Sequence, residues 1–243
     1  MFDENKSEVD LMEGEKVQKE DKEEYIKAFS EALNYAKNYE EIEKIVPTSD
    51  QQYPRVTFLG TGSSIPSKYR NVSCILMETA PDNFIMFDCG EGSLSQMVRM
   101  FGQHRTKEIL VNMKCVYISH MHADHHLGLI NIIQHRERAL AELDTNIDKM
   151  YIVSTDKLLP FLTYYHYKFE SILTQCQFVK CEWLILYNKI EPYTGEEILG
   201  EKHQKLFPDD LSQLLLQTGL AEFYTSRAIH CPNAFCVAIR YII

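Results

Sequence analysis

The sequence lacks the features that would place the chain in a membrane or in an oxidising compartment. No apolar run among its 243 residues approaches the ~20 residues that a membrane-spanning helix needs. The N-terminus, Met1 to Lys6, is polar and acidic, so it has neither the apolar core of a secretory signal nor the character of a mitochondrial transit peptide. Its 7 cysteines are an odd number and form no Cys-x-x-Cys pair, which indicates reduced thiols in an intracellular protein.

Internal repeats, low-complexity segments and a dinucleotide-binding loop are also missing from the sequence. Gly60 and Gly62 follow a short apolar run, but the third glycine of a Gly-x-Gly-x-x-Gly loop is absent. These two residues are therefore predicted to be turn glycines.

The excess of negative charge lies in one segment of the chain. The net charge is −10, and residues 1–50 carry 15 Asp and Glu against 7 Lys and Arg. Residues 51–243 carry the remaining 20 acidic and 18 basic residues, so they are nearly neutral. The net charge thus does not exclude a phosphate-containing ligand, because bound divalent metals can make a site on such a body positive.

Two regions of different character follow each other along the chain. Residues 1–50 are predicted to be an acidic, partly disordered head with one amphipathic helix between about residues 20 and 45, which Pro47 ends. Residues 51–243 alternate short apolar strands with helical segments, which predicts an α/β domain. The predicted strands are 56–59, 74–77, 84–87, 115–119 and 151–153, and the predicted helices are 93–100, 127–143, 157–166 and 210–216.

The segment Ser119-His120-Met121-His122-Ala123-Asp124-His125-His126 lies where a buried strand meets a helix. In nearly extended chain, His120 and His122 project to the same side, whereas Asp124 and His125 point to a second position nearby. Imidazole and carboxylate are good zinc ligands. Two metals about 3.5–4 Å apart can stabilise both the attacking and the leaving oxygen of a phosphoester. The alternative is a histidine-rich loop that only caps the helix, with Asp124 at its N-cap.

The spacing His-x-His-x-Asp-His resembles the hallmark of the metallo-β-lactamase superfamily, which includes nucleases, lactamases and thioester hydrolases. Further motifs narrow the resemblance. Pro66-Ser67-Lys68-Tyr69-Arg70-Asn71 resembles the Pro-x-Lys-x-Arg-Asn loop of ribonuclease Z, Leu59 to Ser64 fits the strand and turn that precede it, and Asn131 to Leu140 is similar to the eukaryotic long form. The resemblance implies an αββα sandwich whose first sheet is largely present and whose second half is incomplete. It also implies a zinc-dependent endoribonuclease that removes 3′ trailers from precursor tRNA, in the nucleus, the mitochondrion or the cytoplasm.

The resemblance also implies a role for individual residues. His120, His122 and His230 would bind the first of two zinc ions, and Asp124 and His125 the second. Asp124 would also act as general base. Asp88 and His126 would orient the ligands, and Lys68, Arg70 and Asn71 would contact the tRNA end.

The sequence departs from the family pattern in two respects. A bridging Asp and a final His ligand are not found within the 243 residues, and Cys236 stands where a glycine is usual. We therefore expect a truncated chain with an uncovered apolar sheet face, completed by a missing N-terminal half or a homodimer partner. Two alternatives stay open, namely another hydrolase of the same fold and a catalytically inactive fragment that binds RNA or a partner.

Overall fold

The computed structural model describes residues 53–143, 147–185 and 208–241, with side chains from residue 211 onward in the last range. The predicted head, with its disordered segment and amphipathic helix, lies outside the described residues. Among those that are described, no helix is long and apolar enough to cross a membrane.

The centre of the fold is a six-stranded sheet in which the strands follow their order in the chain. The strands are β1 (Arg55–Gly60), β2 (Cys74–Ala80), β3 (Asn83–Phe87), β4 (Met113–Ile118), β5 (Met150–Ser154) and β6 (Cys176–Lys180). The pairs β1–β2 and β2–β3 are antiparallel, and the pairs from β3 to β6 are parallel. Parallel neighbours need a crossover connection, and helices follow β3, β4 and β5 in the chain.

The helices are α1 (Ser93–Val111), α2 (Ala123–His126), α3 (Leu129–Leu143), α4 (Leu158–Lys168) and α5 (Pro208–Thr218). The helix α1 is interrupted at Gly102, whose φ of 76° is not helical. A short 3-10 helix, Cys181–Leu184, follows β6.

Both faces of the central strands are buried, because successive side chains of a strand point to opposite sides. On one face, Met86, Val116 and Ile152 pack in a core that includes Met97 of α1 and Ile132 of α3. On the other face lies a second core, formed by Ile85, Tyr117, Val153, Leu214, Phe223 and Phe235. The two cores give the layers of a sandwich.

A two-stranded antiparallel sheet contributes to the second layer. It consists of β7 (Leu220–Arg227) and β8 (Phe235–Tyr241), which form a hairpin. Phe223, Phe235 and Leu214 of α5 pack against the sheet face that we expected to be uncovered. That expectation was wrong for the part of the face around Ile85 and Tyr117, because apolar residues after position 210 cover it.

Candidate metal centre

The histidine-rich loop leaves the sheet at the carboxyl end of β4. Such an edge of a parallel sheet is where ligands generally bind in α/β folds. After Ile118 the chain runs through Ser119 to His122 and then enters the single turn of α2. His120 is buried, whereas His122 is exposed, so the loop connects the core to the surface.

Three histidines converge at this edge. His120 Nε2 lies 3.0 Å from His122 Nδ1, and His230 Nε2 lies 3.3 Å from the same atom. Two imidazole nitrogens bound to one tetrahedral zinc, each at about 2.0–2.1 Å, lie about 3.3 Å apart. The observed spacings therefore fit a zinc ion among the three rings.

The hairpin tip between β7 and β8 brings His230 to this position. Its anchor is Phe235, whose backbone N–H donates to the Ser119 carbonyl at 2.9 Å. The hydroxyl of Tyr117 donates to the Phe235 carbonyl at 2.7 Å. Both partners lie within three residues before His120 in the chain, so the segment that positions His120 also holds the hairpin that bears His230.

Asp124 and His125 form the second pair of candidate ligands. His125 Nε2 lies 3.6 Å from Asp124 Oδ2, and the His125 ring centroid lies 4.0 Å from that of His120. Asp124 Oδ2 also accepts a hydrogen bond of 2.7 Å from the backbone N–H of Ser64. The second pair is thus adjacent to the three histidines, as the sequence predicts.

Asp88 organises both pairs from the end of β3. Its carboxylate accepts hydrogen bonds from the Ser119 backbone N–H and hydroxyl, each at 2.8 Å. Asp88 Oδ2 also lies 2.7 Å from His125 Nδ1. With Nδ1 donating to this carboxylate, Nε2 of His125 is left free of a proton and can bind a metal. The backbone of Asp88 has a φ of 56°, a left-handed conformation that Asp tolerates better than most residues.

The site also shifts the pKa values of its ionisable groups. Burial, together with the nearby His125, lowers the pKa of His120 to about 4. Burial opposes ionisation of His125, but the hydrogen bond and charge of Asp88 outweigh it and raise the pKa of His125. Burial likewise opposes ionisation of Asp124, but the Ser64 N–H and His125 lower the pKa of Asp124. His120 is therefore neutral and Asp124 ionised near pH 7, the forms in which they bind metals.

His126 turns away from the candidate metal position. Its Nδ1 lies 3.0 Å from the His122 carbonyl, and its ring packs edge-on against Phe161 of α4, with 5.6 Å between the ring centroids. Burial lowers the pKa of His126. These contacts are compatible with the predicted role of His126 in orienting the loop.

The predicted RNA-binding residues differ in exposure. Lys68 and Arg70 lie on an exposed loop, where the Ser67 hydroxyl accepts a hydrogen bond from the Arg70 N–H at 3.1 Å. Asn71 is only 7% exposed, and its carbonyl accepts a hydrogen bond of 2.6 Å from the Gly62 N–H. The Asn71 side chain is thus less accessible than those of Lys68 and Arg70, and its contact with RNA stays a prediction.

The glycines before this loop permit close backbone contact. A Cβ at Gly60 would lie 1.7 Å from the Val72 carbonyl oxygen, which no side chain can accommodate. Position 60 therefore requires glycine because of this close contact, which is a second reason besides the predicted turn. Cys236, which stands where a glycine is usual, lies exposed within β8. Asn233 has the positive φ in this hairpin, 61°.

Sequence reasoning did not identify Ser119, Ser64 or Cys231 as parts of the site. Ser119 and Cys231 are direct neighbours of candidate ligands in the sequence, and this adjacency could have identified both as parts of the site. The contact of the Ser64 backbone with Asp124 depends on folding between residues 60 positions apart and left no local signal.

A six-stranded sheet covered on both faces, with a histidine-rich loop at the end of a central strand, defines the class of protein. A solved long-form ribonuclease Z from yeast has the same fold, with a TM-score of 0.62, 28% identity, and coverage of 79% of this chain and 28% of that chain. The predicted metallo-β-lactamase fold is therefore confirmed. The model of a family described as anti-Pycsar protein Apyc1 also matches residues 54–159.

Curated relatives point to a particular member of that class. Zinc phosphodiesterase ELAC protein 2 of Rattus norvegicus is 36% identical over 222 residues, which are 89% of this chain and 25% of that protein. The mitochondrial ribonuclease Z of Drosophila melanogaster is 32% identical over 220 residues, which are 89% of this chain and 26% of that protein. The chain is thus homologous to ribonuclease Z, as its motifs predict, and spans about a quarter of the length of these relatives. The name of the first relative and the three histidines together support zinc as the metal.

Proposed function

We propose that this chain takes part in the zinc-dependent endonucleolytic removal of 3′ trailers from precursor tRNA. The observation that carries the proposal is the hydrogen bond between the Ser64 N–H and Asp124 Oδ2, 2.7 Å long. It joins the exposed loop that bears Lys68 and Arg70 to a candidate metal ligand, so RNA phosphates held by that loop would lie beside the metal centre. Homology to ribonuclease Z supports this assignment.

The spacing of the three histidines and the adjacent pair Asp124 and His125 support an assignment of the residues that would hold zinc. His120, His122 and His230 would bind the first ion, and Asp124 and His125 a second ion. When bound, zinc supplies Lewis-acid stabilisation of the negative charge that develops on a phosphodiester under attack.

The side chains of the site would contribute orientation and proton transfer. Asp124 is ionised because the Ser64 N–H lowers its pKa, so its carboxylate can accept a proton from the attacking water. Asp88 fixes the ring of His125. The positive charges of Lys68 and Arg70 would attract and position the RNA backbone near its cleaved end.

Mapping the ends of a cleaved precursor tests this function. The intact protein that contains this segment should cut a trailer-bearing precursor tRNA directly after the discriminator base. The variant His230→Ala should lose this cleavage, whereas His104→Ala should keep it, because His104 is an exposed residue of α1. Hydrolysis of a thioester or a lactam with the tRNA left uncut would favour another hydrolase of the same fold. Binding of the RNA without any cleavage would favour an inactive binding fragment.

Two substrates can distinguish RNA binding by the exposed loop from hydrolysis at the metal centre. Changing both Lys68 and Arg70 to Ala should weaken tRNA cleavage but spare hydrolysis of a small phosphodiester. Each lost phosphate contact should also flatten the log–log salt dependence of tRNA binding by about 0.7–0.9. Lys107 of α1, which pairs with Glu142, and Lys149, which directly precedes β5, provide a control with the same charge change. Equal losses on both substrates would show that the loop is structural.

We propose the mitochondrion or the nucleus as the site of action. The name of the Drosophila melanogaster relative specifies the mitochondrion, and tRNA precursors are made in both compartments. Imaging of the tagged protein tests this assignment, and purely cytoplasmic signal would contradict it.

A further inference from the structure

Cys231 lies beside the three candidate zinc ligands. The donor atoms of His120, His122, His230 and Cys231 are all within 4.8 Å of one another. Cys231 is half-buried, and it follows His230 directly in the tip of the β7–β8 hairpin. Three imidazoles and one thiolate are a donor set that zinc binds tetrahedrally.

We propose that the Cys231 thiolate is the fourth ligand of the first zinc ion. The resulting site is a His3Cys centre, and the proposal goes beyond the residues assigned above. It rests on the proposed metal position among the three histidines and is independent of the RNA substrate.

The hairpin tip holds Cys231 within reach of the ion. The Ala228 N–H donates to the Ala234 carbonyl at 2.9 Å, and the Ala234 N–H donates to the Cys231 carbonyl at 3.1 Å. Sulfur and nitrogen ligands of one tetrahedral zinc lie about 3.6 Å apart, given Zn–S of about 2.3 Å and Zn–N of about 2.0 Å. Since the donor atoms already lie within 4.8 Å of one another, the sulfur would have to approach each nitrogen by at most about 1.2 Å.

The other described cysteines do not share this position. Cys74, Cys115 and Cys181 are buried in the apolar cores, and burial raises the pKa of Cys74 to about 12. Cys236 is exposed on β8 and lies outside the cluster of donor atoms. On binding, the Cys231 thiol releases its proton to solvent and its sulfur donates an electron pair to the ion. No oxidant or reductant takes part.

A His3Cys set changes the expected behaviour of the metal. Four protein ligands are typical of structural zinc sites, whereas catalytic sites keep three protein ligands and an open position. With Cys231 bound, the first ion would be tightly held and would not bind water, so the attacking water of the proposed cleavage would have to lie at the second position, beside Asp124 and His125. Replacing Cys231 by Ser removes the thiolate and opens that position.

Cobalt substitution tests the proposal on the purified 243-residue chain. The metal-free protein, kept reduced with a phosphine, is titrated with Co²⁺ and its absorption spectrum recorded. A cysteine ligand gives a sulfur-to-cobalt charge-transfer band in the near ultraviolet. We expect this band in the unaltered chain and in Cys236→Ser, and its loss in Cys231→Ser. The zinc affinity of Cys231→Ser should fall at least about tenfold. Loss of a group that only orients a metal ligand already lowers the affinity by about 10–100-fold, and Cys231→Ser removes a ligand itself.

Alkylation provides a second measurement that needs no variant. Zinc should protect Cys231 of the unaltered chain from iodoacetamide while leaving the reactivity of Cys236 unchanged, as peptide mass spectrometry shows. Cobalt binding without the band, or equal alkylation of Cys231 with and without zinc, would overturn the proposal. Failure to bind cobalt at all would overturn both this proposal and the proposed metal position. A Cys231-dependent band in a protein that leaves precursor tRNA uncut would contradict the proposed function alone.

Discussion

Ser119 determines which nitrogen of His120 is available to a metal. Its hydroxyl donates its single proton to Asp88 Oδ1 at 2.8 Å and lies 2.9 Å from His120 Nδ1. The hydroxyl oxygen can therefore only accept from Nδ1–H, so the proton of the neutral ring resides on Nδ1. Nε2 is then the free nitrogen, and it is the atom that faces His122 and His230. The Asp88 carboxylate thus sets the tautomer of His125 directly and that of His120 through Ser119.

Removing this hydroxyl should weaken zinc binding without removing a ligand. We expect Ser119→Ala to lower zinc affinity about 10–100-fold, the usual effect of losing a group that orients a ligand. Competition with a chromophoric chelator measures the affinity. Ser73→Ala is the matched control, because the Ser73 hydroxyl also bonds to Asp88, at 3.3 Å, and no contact joins it to a histidine. Equal affinities of Ser119→Ala and the unaltered chain would show that the tautomer is set in another way.

The β7–β8 hairpin is the element that completes the metal centre. Phe223 of β7 and Phe235 of β8 are buried, and Phe223 packs edge-on against Tyr117, with 6.3 Å between the ring centroids. The hydrogen bonds of Phe235 with Ser119 and Tyr117 fix the hairpin tip beside the histidine-rich loop. The position of His230 therefore depends on packing between two layers of the sandwich.

Loosening the hairpin should affect stability and metal binding together. Tyr117→Phe keeps the ring but deletes the hydrogen bond to Phe235, which should lower the free energy of unfolding by about 0.5–1.5 kcal/mol and weaken zinc binding. Tyr165→Phe deletes a comparable bond from Gln134, of 3.2 Å, between α3 and α4. Its effect should be confined to stability. Urea unfolding and zinc titration of both variants measure the two quantities, and unchanged zinc affinity in Tyr117→Phe would contradict this account.

The elements that the sequence predicted are those with a strong local pattern. The strands around Ile85, Val116 and Ile152 are short apolar runs buried on both faces, and they were located correctly. The histidine-rich loop was also predictable, because four candidate ligands lie within six residues. Strands β6, β7 and β8 were not predicted. The residues of β6 and β7 show no regular alternation of buried and exposed positions, and β8 alternates between exposed and half-buried positions only after the buried Phe235. The position of the hairpin also depends on contacts such as that of Tyr117 with Phe235, across 118 residues.

At the scale of the whole molecule, the candidate ligands link parts of the chain that are far apart in sequence. His122 and His230 are separated by 108 positions; the first follows β4 of the large sheet and the second lies in the hairpin of the other layer. An ion bound by both residues joins the two layers. An unfolded chain cannot present these ligands together, so the ion binds the folded state in preference.

Zinc should therefore stabilise the folded chain. At a free zinc concentration about 1,000 times the dissociation constant, linkage predicts a gain of about 4 kcal/mol in the free energy of unfolding, or about 8–16 °C in Tm for a domain of this size. Elemental analysis should show one tightly held ion per chain, because the described residues offer only Asp124 and His125 to a second. Thermal unfolding with and without zinc measures the effect. His122→Ala should lose most of the gain and His104→Ala should retain it. If His122→Ala gained as much Tm as the unaltered chain, zinc would be acting at a site that does not include the three histidines, because an ion that joins the two layers requires His122.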